Sequence, residues 1–181
     1  MASTFPQVIV INGASSSGKT TLGRALQGRL PDPWLLIGVD TLLAVLPPRL
    51  LAPEGISIGA DGQVGVGDAF RRQETAWMAG VAAMVRAGAR VIVDDVFLEG
   101  GGSQARWREA LNGLTTLWVG VRCSLEVAES RERARGDRVV GMHREQAGLV
   151  HQGVTYDLTV DTSELDASGC ADRIVLQTRT V

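Results

Sequence analysis

The sequence predicts an α/β fold in which a mostly parallel five-stranded sheet carries helices on both faces. The first observation is that short continuous apolar runs alternate along the chain with segments that have the three-to-four-residue apolar spacing of helices. The second is that the connections between these segments are mostly short. A chain of 181 residues also fits one domain, so we expect residues 1–181 to form a single unit without an interdomain linker.

Five apolar runs are candidates for the strands of this sheet. A continuous apolar run suits a strand that is buried on both faces, because helices cover both sides of a parallel sheet. These runs occupy residues 7–12, 34–39, 90–95, 116–121 and 156–160. Helical patterns follow them at residues 19–30, 41–46, 69–87, 104–111, 125–134, 139–150 and 164–176.

Residues 49–67 interrupt the alternation of strands and helices. Within them, apolar and small residues alternate at 56–58 and 64–66, on either side of the dipeptide Asp61-Gly62. Asp-Gly between two such runs is a strong signal for a hairpin turn. We therefore predict a small hairpin over one edge of the sheet.

Composition and charge exclude several classes of function. The formal net charge of −2 indicates no basic face for a phosphate polymer, so we expect no nucleic-acid partner. No apolar run approaches the roughly 20 residues that a membrane helix needs, so we expect no membrane partner. Residues 1–6 lack the features of a secretory signal, and two cysteines cannot build a disulfide framework or a zinc site, so we expect a cytoplasmic protein. Whether it forms a homo-oligomer stays open.

The strongest motif lies between the first predicted strand and the first predicted helix. It matches the phosphate-binding pattern G-x-x-x-x-G-K-[ST] and reads Gly13-Ala14-Ser15-Ser16-Ser17-Gly18-Lys19-Thr20. Its glycines let the backbone curl, so that successive N–H groups converge on phosphate oxygens at a helix N-terminus. Lys19, the only lysine among 18 basic side chains, adds charge at the β- and γ-phosphates, and the Thr20 hydroxyl can ligate Mg²⁺. The motif predicts a nucleoside triphosphate site.

Carboxylates follow two of the other strands. Open α/β sheets bind ligands at the carboxyl ends of their strands, where Asp40, Asp94 and Asp95 all lie. Asp40 is a candidate to accept the proton of an acceptor hydroxyl; it also suits an N-cap on a helix that begins at Thr41, and the two roles are compatible. We favour Asp94 for the metal shell with Thr20, although either neighbouring Asp could instead cap a helix or pair with an arginine.

Four arginines crowd the segment that follows the fourth strand: Arg131, Arg133, Arg135 and Arg138. Small phosphoryl-transfer enzymes often close an arginine-bearing lid over the nucleotide, and we place such a lid at about residues 131–150. Arg135 and Arg138 flank Gly136 and are the better lid candidates. Arg133 stands four residues after Glu129 and is assigned mainly to a surface ion pair.

The two histidines are not predicted to be metal ligands. His143 and His151 have no carboxylate or cysteine partner at metal-ligand spacing. We expect each to be a surface or partly buried residue.

Several segments together resemble the chloramphenicol phosphotransferase family. They are residues 11–20, 38–40, 87–98, 117–123, 134–139 and 150–157, so the resemblance spans nearly the whole chain. The phosphate loop alone is shared by very many proteins. The Asp-Asp-Val-Phe-Leu stretch at 94–98 and the Arg-Gly-Asp-Arg stretch at 135–138 are far more particular.

The resemblance implies a P-loop kinase-like fold with a small lid, and an enzyme that uses ATP and Mg²⁺ to phosphorylate the primary hydroxyl of chloramphenicol. The family's proposed base falls on Asp40, its phosphate-loop lysine on Lys19, and its phosphate-contacting arginines on Arg135 and Arg138. Residues 49–67, which we expect to shape the acceptor pocket, depart most from the family. The acceptor could therefore be another small hydroxylated metabolite, such as a sugar acid or cyclitol; a nucleotide-binding protein without kinase activity is less favoured.

Overall fold

Seven strands and seven helices make up the structure, a computed structural model that describes residues 5–59, 62–135 and 141–178. The strands are β1 (Val8–Asn12), β2 (Trp34–Gly38), β3 (Ile56–Ile58), β4 (Val64–Val66), β5 (Arg90–Asp95), β6 (Thr116–Arg122) and β7 (Leu158–Asp161). The helices are α1 (Lys19–Gln27), α2 (Val39–Val45), α3 (Asp68–Arg86), α4 (Gly101–Ala110), α5 (Leu125–Arg135), α6 (Met142–Ala147) and α7 (Ala167–Thr178). In these described residues no helix is both long and apolar enough to cross a membrane.

A five-stranded sheet in the order β2-β5-β1-β6-β7 organises the fold. Every neighbouring pair of its strands is parallel, which confirms the predicted parallel sheet. The register places Asn12, the last residue of β1, opposite both Asp95 and Gly120, and it places Gly38 opposite Asp94. The loop after β1 and the acidic ends of the neighbouring strands therefore meet at one edge.

Helices cover both faces of the sheet, as predicted. On one face α1 and α7 pack over the strands, through Leu22, Leu26, Cys170, Ala171 and Ile174. On the other face α3 and α4 pack over them, through Met78, Val81, Ala82, Val85, Trp107 and Leu111. Strand side chains alternate between the two faces, so Ile9 and Ile11 belong to the first core and Val8 and Val10 to the second.

The predicted hairpin is confirmed as a separate two-stranded sheet. β3 and β4 pair antiparallel, with Ile56 opposite Val66 and Ile58 opposite Val64. Ile56 is buried with Leu42 of α2 and Phe70 of α3, so the hairpin packs against these helices through a third apolar cluster. Residues 60 and 61, which include Asp61 of the predicted turn, lie outside the described residues.

Two predicted helices differ most from the structure. The prediction of a helix over 139–150 was too long, because α6 ends at Ala147 and is followed by turns. The last helix begins at Ala167 instead of 164, because the Asp166 carboxylate accepts the Gly169 N–H at 2.7 Å and so caps the helix start.

Candidate active site

The phosphate loop joins β1 to α1 with a tightly curled backbone. Ser16 and Gly18 have left-handed backbone angles, with φ of 59° and 89°. Alternation of left- and right-handed residues turns successive N–H groups toward one point, the arrangement that binds anions. A Cβ on Gly13 would lie 2.4 Å from the carbonyl oxygen of Val121, so a side chain there would push the loop off β6. The loop conformation therefore depends on both motif glycines.

Two features of the loop fit a phosphate group. Ser16 lines the cavity, and its buried hydroxyl has no hydrogen-bond partner within the described part of the chain. Lys19 is only 7% exposed, and its ammonium donates to the Ala14 carbonyl at 2.9 Å. A buried hydroxyl and a buried ammonium beside converging amides form a donor-rich pocket of the kind that a triphosphate requires.

Thr20 and Asp94 lie in direct contact next to this loop. The Thr20 hydroxyl donates to Asp94 Oδ2 at 2.6 Å, and the Lys19 ammonium lies 4.0 Å from Asp94 Oδ1. The described residues contain no cluster of three or more His, Cys, Asp or Glu side chains able to hold a metal. A hydroxyl and one carboxylate suit Mg²⁺, which protein sites usually bind through few side chains plus phosphate oxygens and water.

Asp95 has different partners from its neighbour. Its carboxylate accepts the indole N–H of Trp107 at 2.6 Å and the N–H of Val96 at 2.7 Å. Burial raises the pKa of Asp95 to about 6, and the negative charges of Glu74 and Asp94 also raise it. Asp95 thus connects β5 to α4, whereas Asp94 faces the phosphate loop.

Asp40 lies in the first turn of α2, and the assignment of this residue as the N-cap was wrong. The N-cap is Gly38, whose N–H is accepted by the Thr41 hydroxyl at 3.3 Å. Because the helix begins at Val39, the last residue of the segment predicted as strand (34–39), Asp40 lies in the first turn, past the cap position. Its side chain is exposed and lines the same cavity as Lys19 and Thr20.

The lid arginines can be located only in part. The side chain of Arg135 and all of Arg138 lie outside the described residues. Arg133 is exposed and 3.9 Å from Glu129, which matches its predicted surface role. Among the four arginines of this segment, Arg131 was not a predicted lid residue, yet in the described part of the chain its guanidinium contacts the phosphate loop. Its position one helical turn before Arg135 was the available signal.

Arg131 connects the phosphate loop to the end of β7. Its guanidinium donates to the Thr162 hydroxyl and to the Thr162 carbonyl, each at 3.0 Å, and to the Ser16 carbonyl at 3.4 Å. The Thr162 hydroxyl in turn donates to the Ser17 carbonyl at 2.7 Å. Arg131 also lines the cavity, so it places positive charge beside the phosphate loop.

His143 is buried against the phosphate loop, so the expectation of a surface or partly buried residue was wrong. Its Nδ1 lies 2.8 Å from the Ser15 carbonyl, and Gln146, one turn later on α6, accepts the Ser15 N–H at 2.7 Å. These contacts join residues more than a hundred positions apart, and nothing local in the sequence indicates them.

His151 is partly buried, as expected. Its Nδ1 lies 2.6 Å from the Tyr156 hydroxyl, which also accepts from Asn12 Nδ2 at 2.6 Å. Burial is the largest cause that lowers the pKa of His151 to about 4. His151 is therefore neutral at physiological pH and supports the end of β1.

A cavity of about 870 Å³ joins the phosphate loop to the hairpin. One set of lining residues belongs to the loop and its surroundings: Ser15, Ser16, Gly18, Lys19, Thr20, Arg131 and Thr162. A second set is apolar and comes from the hairpin and adjacent helices: Leu43, Ile56, Ile58, Val64, Val66 and Phe70. Asp40, Asp94 and Asp95 are among the acidic residues that also line the cavity, so one space connects the phosphate-binding groups, several carboxylates and an apolar wall.

The arginine on the apolar side of the cavity is held in an ion-pair network. Arg71 donates to Glu74 at 2.7 Å and also donates to Glu99. Arg106 donates to the other oxygen of Glu99 at 2.6 Å and lies 3.3 Å from Glu74. Each guanidinium therefore has two carboxylates against it, which balances the positive charge of Arg71 where it borders the cavity.

Solved structures show that this architecture is shared with kinases. A sugar kinase from Janibacter sp. HTCC2649 superposes with a TM-score of 0.70 at 15% sequence identity, covering 94% of this chain and 92% of that one. A tunicamycin resistance protein from Deinococcus radiodurans superposes with a TM-score of 0.64 at 22% identity, covering 94% of each chain. At these identities the likeness shows the fold alone, which is that of the P-loop kinases.

Sequence relatives extend the likeness beyond the fold. A Mycobacterium tuberculosis protein named "Putative O-phosphotransferase" is 32% identical over 174 residues, which cover 87% of this chain and 75% of the relative. The chloramphenicol phosphotransferase-like protein family matches residues 6–179, which include the phosphate loop and all the described elements of the cavity. The chain is therefore a member of the chloramphenicol phosphotransferase-like family.

Proposed function

We propose that this protein transfers the γ-phosphoryl group of ATP to a hydroxyl of a small molecule, and that the acceptor is the primary hydroxyl of chloramphenicol. Family membership supports a small-molecule phosphotransferase. The observation that carries the proposal is the single cavity that contains Lys19, Asp40, Asp94 and the apolar hairpin wall. Such a cavity can hold a phosphoryl donor and a partly apolar acceptor side by side.

The residues of the loop fit ATP with Mg²⁺. Lys19 and the loop amides would hold the β- and γ-phosphates, and Thr20 with Asp94 would hold the metal ion. Bound Mg²⁺ supplies charge neutralisation of the phosphates during transfer. Arg131 adds a fixed positive charge near the loop. The family resemblance adds Arg135 and Arg138, which we propose stabilise the charge on the migrating phosphoryl group.

Asp40 is proposed to prepare the acceptor. Its carboxylate would hydrogen bond the acceptor hydroxyl and orient the oxygen in line with the γ-phosphorus. The new bond joins this oxygen to the γ-phosphorus, and the bond between the γ-phosphorus and the bridging oxygen of ADP breaks. The hydroxyl proton passes to Asp40. The exposed position of Asp40 in the cavity leaves room for an acceptor beside it.

The acceptor side of the cavity favours a neutral molecule with an apolar part. Its wall contains Ile56, Val64 and Phe70, which suit an aromatic ring or another apolar group. A carboxylate acceptor against this wall would need a cation beside it, and Arg71, which follows Phe70 of the wall, is already paired with two glutamates. Chloramphenicol is neutral and has an aromatic ring, whereas a sugar acid is charged and has no apolar part. A neutral hydroxylated metabolite is the second candidate acceptor.

Both cysteines are free thiols, which fits action in a reducing compartment such as the cytoplasm, where ATP is available. An enzyme of this kind in a bacterial host would inactivate the antibiotic. We therefore expect expression of the protein in a susceptible strain to raise the chloramphenicol concentration that the strain survives, and expression of the Asp40→Asn variant to leave that concentration unchanged.

The direct test is mass spectrometry of candidate acceptors after incubation with the purified protein, ATP and Mg²⁺. We expect chloramphenicol to gain one phosphoryl group and gluconate to gain none. The Lys19→Met variant, which removes the ammonium from the loop, should form no product. If a neutral cyclitol gains a phosphoryl group and chloramphenicol does not, the acceptor would instead be a neutral hydroxylated metabolite, the second candidate. Nucleotide binding without transfer to any hydroxyl would contradict kinase activity.

A further inference from the structure

We propose that His143 and Gln146 of α6 are positioning residues that set the nucleotide-binding geometry of the phosphate loop by holding the two backbone groups of Ser15. The proposal rests on the ATP site proposed above and adds residues outside the phosphate-binding motif. Both side chains are buried, and Gln146 also lines the cavity. Neither residue has a place in the motif or in the transfer step.

The two contacts fix two successive peptide planes. Gln146 Oε1 accepts the Ser15 N–H at 2.7 Å, and His143 Nδ1 lies 2.8 Å from the Ser15 carbonyl. A carbonyl can only accept, so the proton of this bond is on Nδ1 of His143. Because a trans peptide is planar, the C=O and N–H of one peptide group point in opposite directions. A hydrogen bond that fixes the C=O or the N–H of a peptide therefore also fixes the direction of the other group.

The groups aimed in this way belong to the phosphate site. In the peptide between Ala14 and Ser15, the N–H points to Gln146 and the carbonyl accepts the Lys19 ammonium at 2.9 Å. In the peptide between Ser15 and Ser16, the carbonyl points to His143, so the Ser16 N–H points away from α6. Ser16 has a φ of 59°, a conformation that a serine keeps only when its neighbours are held. The hydrogen bonds of Gln146 and His143 to Ser15 supply that restraint.

α6 is itself fixed at both ends. At its start, the fully buried carboxylate of Glu132 accepts the N–H of Gly141 at 2.9 Å and that of His143 at 2.8 Å. Beyond its end, the Val150 carbonyl accepts Asn12 Nδ2 at 2.7 Å. These bonds tie α6 to α5 and to the last residue of β1. The helix is therefore a rigid support from which His143 and Gln146 reach the loop.

Calorimetry of MgATP binding to four variants tests the proposal. Gln146→Leu removes the hydrogen-bond acceptor of the Ser15 N–H, and His143→Leu removes the hydrogen-bond donor to the Ser15 carbonyl. His143→Asn keeps a donor because its amide nitrogen takes the position of Nδ1. Arg144→Gln is the matched control, since Arg144 is on the exposed side of α6 and pairs with Glu129 at 2.6 Å. The acceptor KM is measured in parallel.

We expect the dissociation constant for MgATP to rise about tenfold or more in both leucine variants, because each leaves a buried backbone group unsatisfied at the binding loop. His143→Asn should stay within about threefold of the wild type, as should the Arg144→Gln control, whose exposed ion pair contributes little. The acceptor KM should not change. Leucine variants that bind MgATP like the wild type, or an His143→Asn variant as weak as His143→Leu, would overturn the proposal.

Hydrogen exchange of the wild-type protein gives a second test that no folding defect can obscure. If α6 holds the loop, MgATP should slow amide exchange in residues 142–147 together with residues 15–20. Slower exchange confined to residues 15–20 would contradict the proposal that α6 holds the loop. A wild-type protein that binds no MgATP at all would instead contradict the proposed ATP site, so the two failures are distinguishable.

Discussion

The hydroxyl of Thr20 donates a 2.6 Å hydrogen bond to Asp94, and this bond joins the first turn of α1 to the carboxyl end of β5. Asp95, the next residue, also lines the cavity, but its carboxylate accepts the indole N–H of Trp107 on α4 at 2.6 Å. Two adjacent carboxylates therefore occupy different environments. We propose that Asp94 holds a metal ion beside the phosphate loop, whereas Asp95 is part of the contact between β5 and α4.

The Asp94→Asn variant should separate these two roles. Replacement of the carboxylate by an amide removes the charge that we propose holds Mg²⁺, so the Mg²⁺ concentration for half-maximal activity should rise on the order of 10- to 100-fold. Titration of phosphotransfer activity with Mg²⁺ measures this shift. The matched variant Asp95→Asn should keep the wild-type Mg²⁺ dependence. Equal shifts in both variants would argue against Asp94 as the metal ligand.

Asp95 should make the stability of the protein depend on pH. Its pKa of about 6 in the folded state lies above its ordinary value of 3.8, so between these pH values the folded chain holds a proton that the unfolded chain releases. The contribution of Asp95 to the stability of the folded state is greatest below pH 3.8 and is lost as the pH rises through 6. We therefore expect the free energy of unfolding in urea, taken as wild type minus Asp95→Asn, to be larger at about pH 4.5 than at about pH 7.5. The increase should be roughly 1–3 kcal/mol. A difference that does not vary with pH would contradict the raised pKa.

The sequence predicts features of the site that are local and fails for those that depend on distant contacts. Gly13 to Thr20 act through groups of the motif itself, its backbone amides and the side chains of Lys19 and Thr20, so the pattern alone indicates the loop and the helix that follows it. Asp94 and Asp95 show an intermediate case. Alternation along a strand predicts that they face opposite sides, but the sequence does not show which side α1 covers. Only packing supplies that information.

Arg131 and His143 show the limit of prediction more clearly. The Arg131 guanidinium reaches the Ser16 carbonyl across 115 positions, and His143 reaches Ser15 across 128. Their partners are backbone carbonyls, which every residue has, so no residue type marks the partner in the sequence. His143 was expected to be a surface or partly buried residue rather than a metal ligand, because it has no carboxylate or cysteine partner at metal-ligand spacing, whereas the structure buries it against the Ser15 carbonyl.

Asp40→Asn should reduce phosphotransfer without weakening nucleotide binding. If the carboxylate accepts the proton of the acceptor hydroxyl, its loss should lower kcat by on the order of 10²- to 10⁴-fold, since general-base contributions have that size. Steady-state kinetics with MgATP and the acceptor measure kcat, and calorimetry measures MgATP affinity. Asp172→Asn is a suitable control, because Asp172 is an exposed aspartate on α7 that pairs with Arg29. An unchanged kcat in Asp40→Asn would exclude it as the base.

Gly38→Ala should disturb the site through the contact between β2 and β5. Gly38 has φ of −139° and ψ of 177°, extended angles that alanine adopts freely, so the effect would be steric. A Cβ there would lie 2.7 Å from the Asp94 carbonyl oxygen and 3.1 Å from Asp94 Cβ. These are main-chain and Cβ atoms, which cannot move aside without a shift of the strand. The end of β2 must therefore separate from β5.

That separation should displace Asp40 and Asp94 together, because one follows Gly38 by two residues and the other is its register partner. We expect Gly38→Ala to lower the free energy of unfolding by about 1–3 kcal/mol, the usual cost of overpacking. It should also reduce kcat at temperatures where the variant is fully folded. Gly80→Ala is the control: a Cβ there meets no atom within 4 Å, so this exposed helical site should gain about 0.5–1 kcal/mol with full activity. Wild-type kcat in folded Gly38→Ala would show that the spacing of these strands does not determine the geometry of the carboxylates.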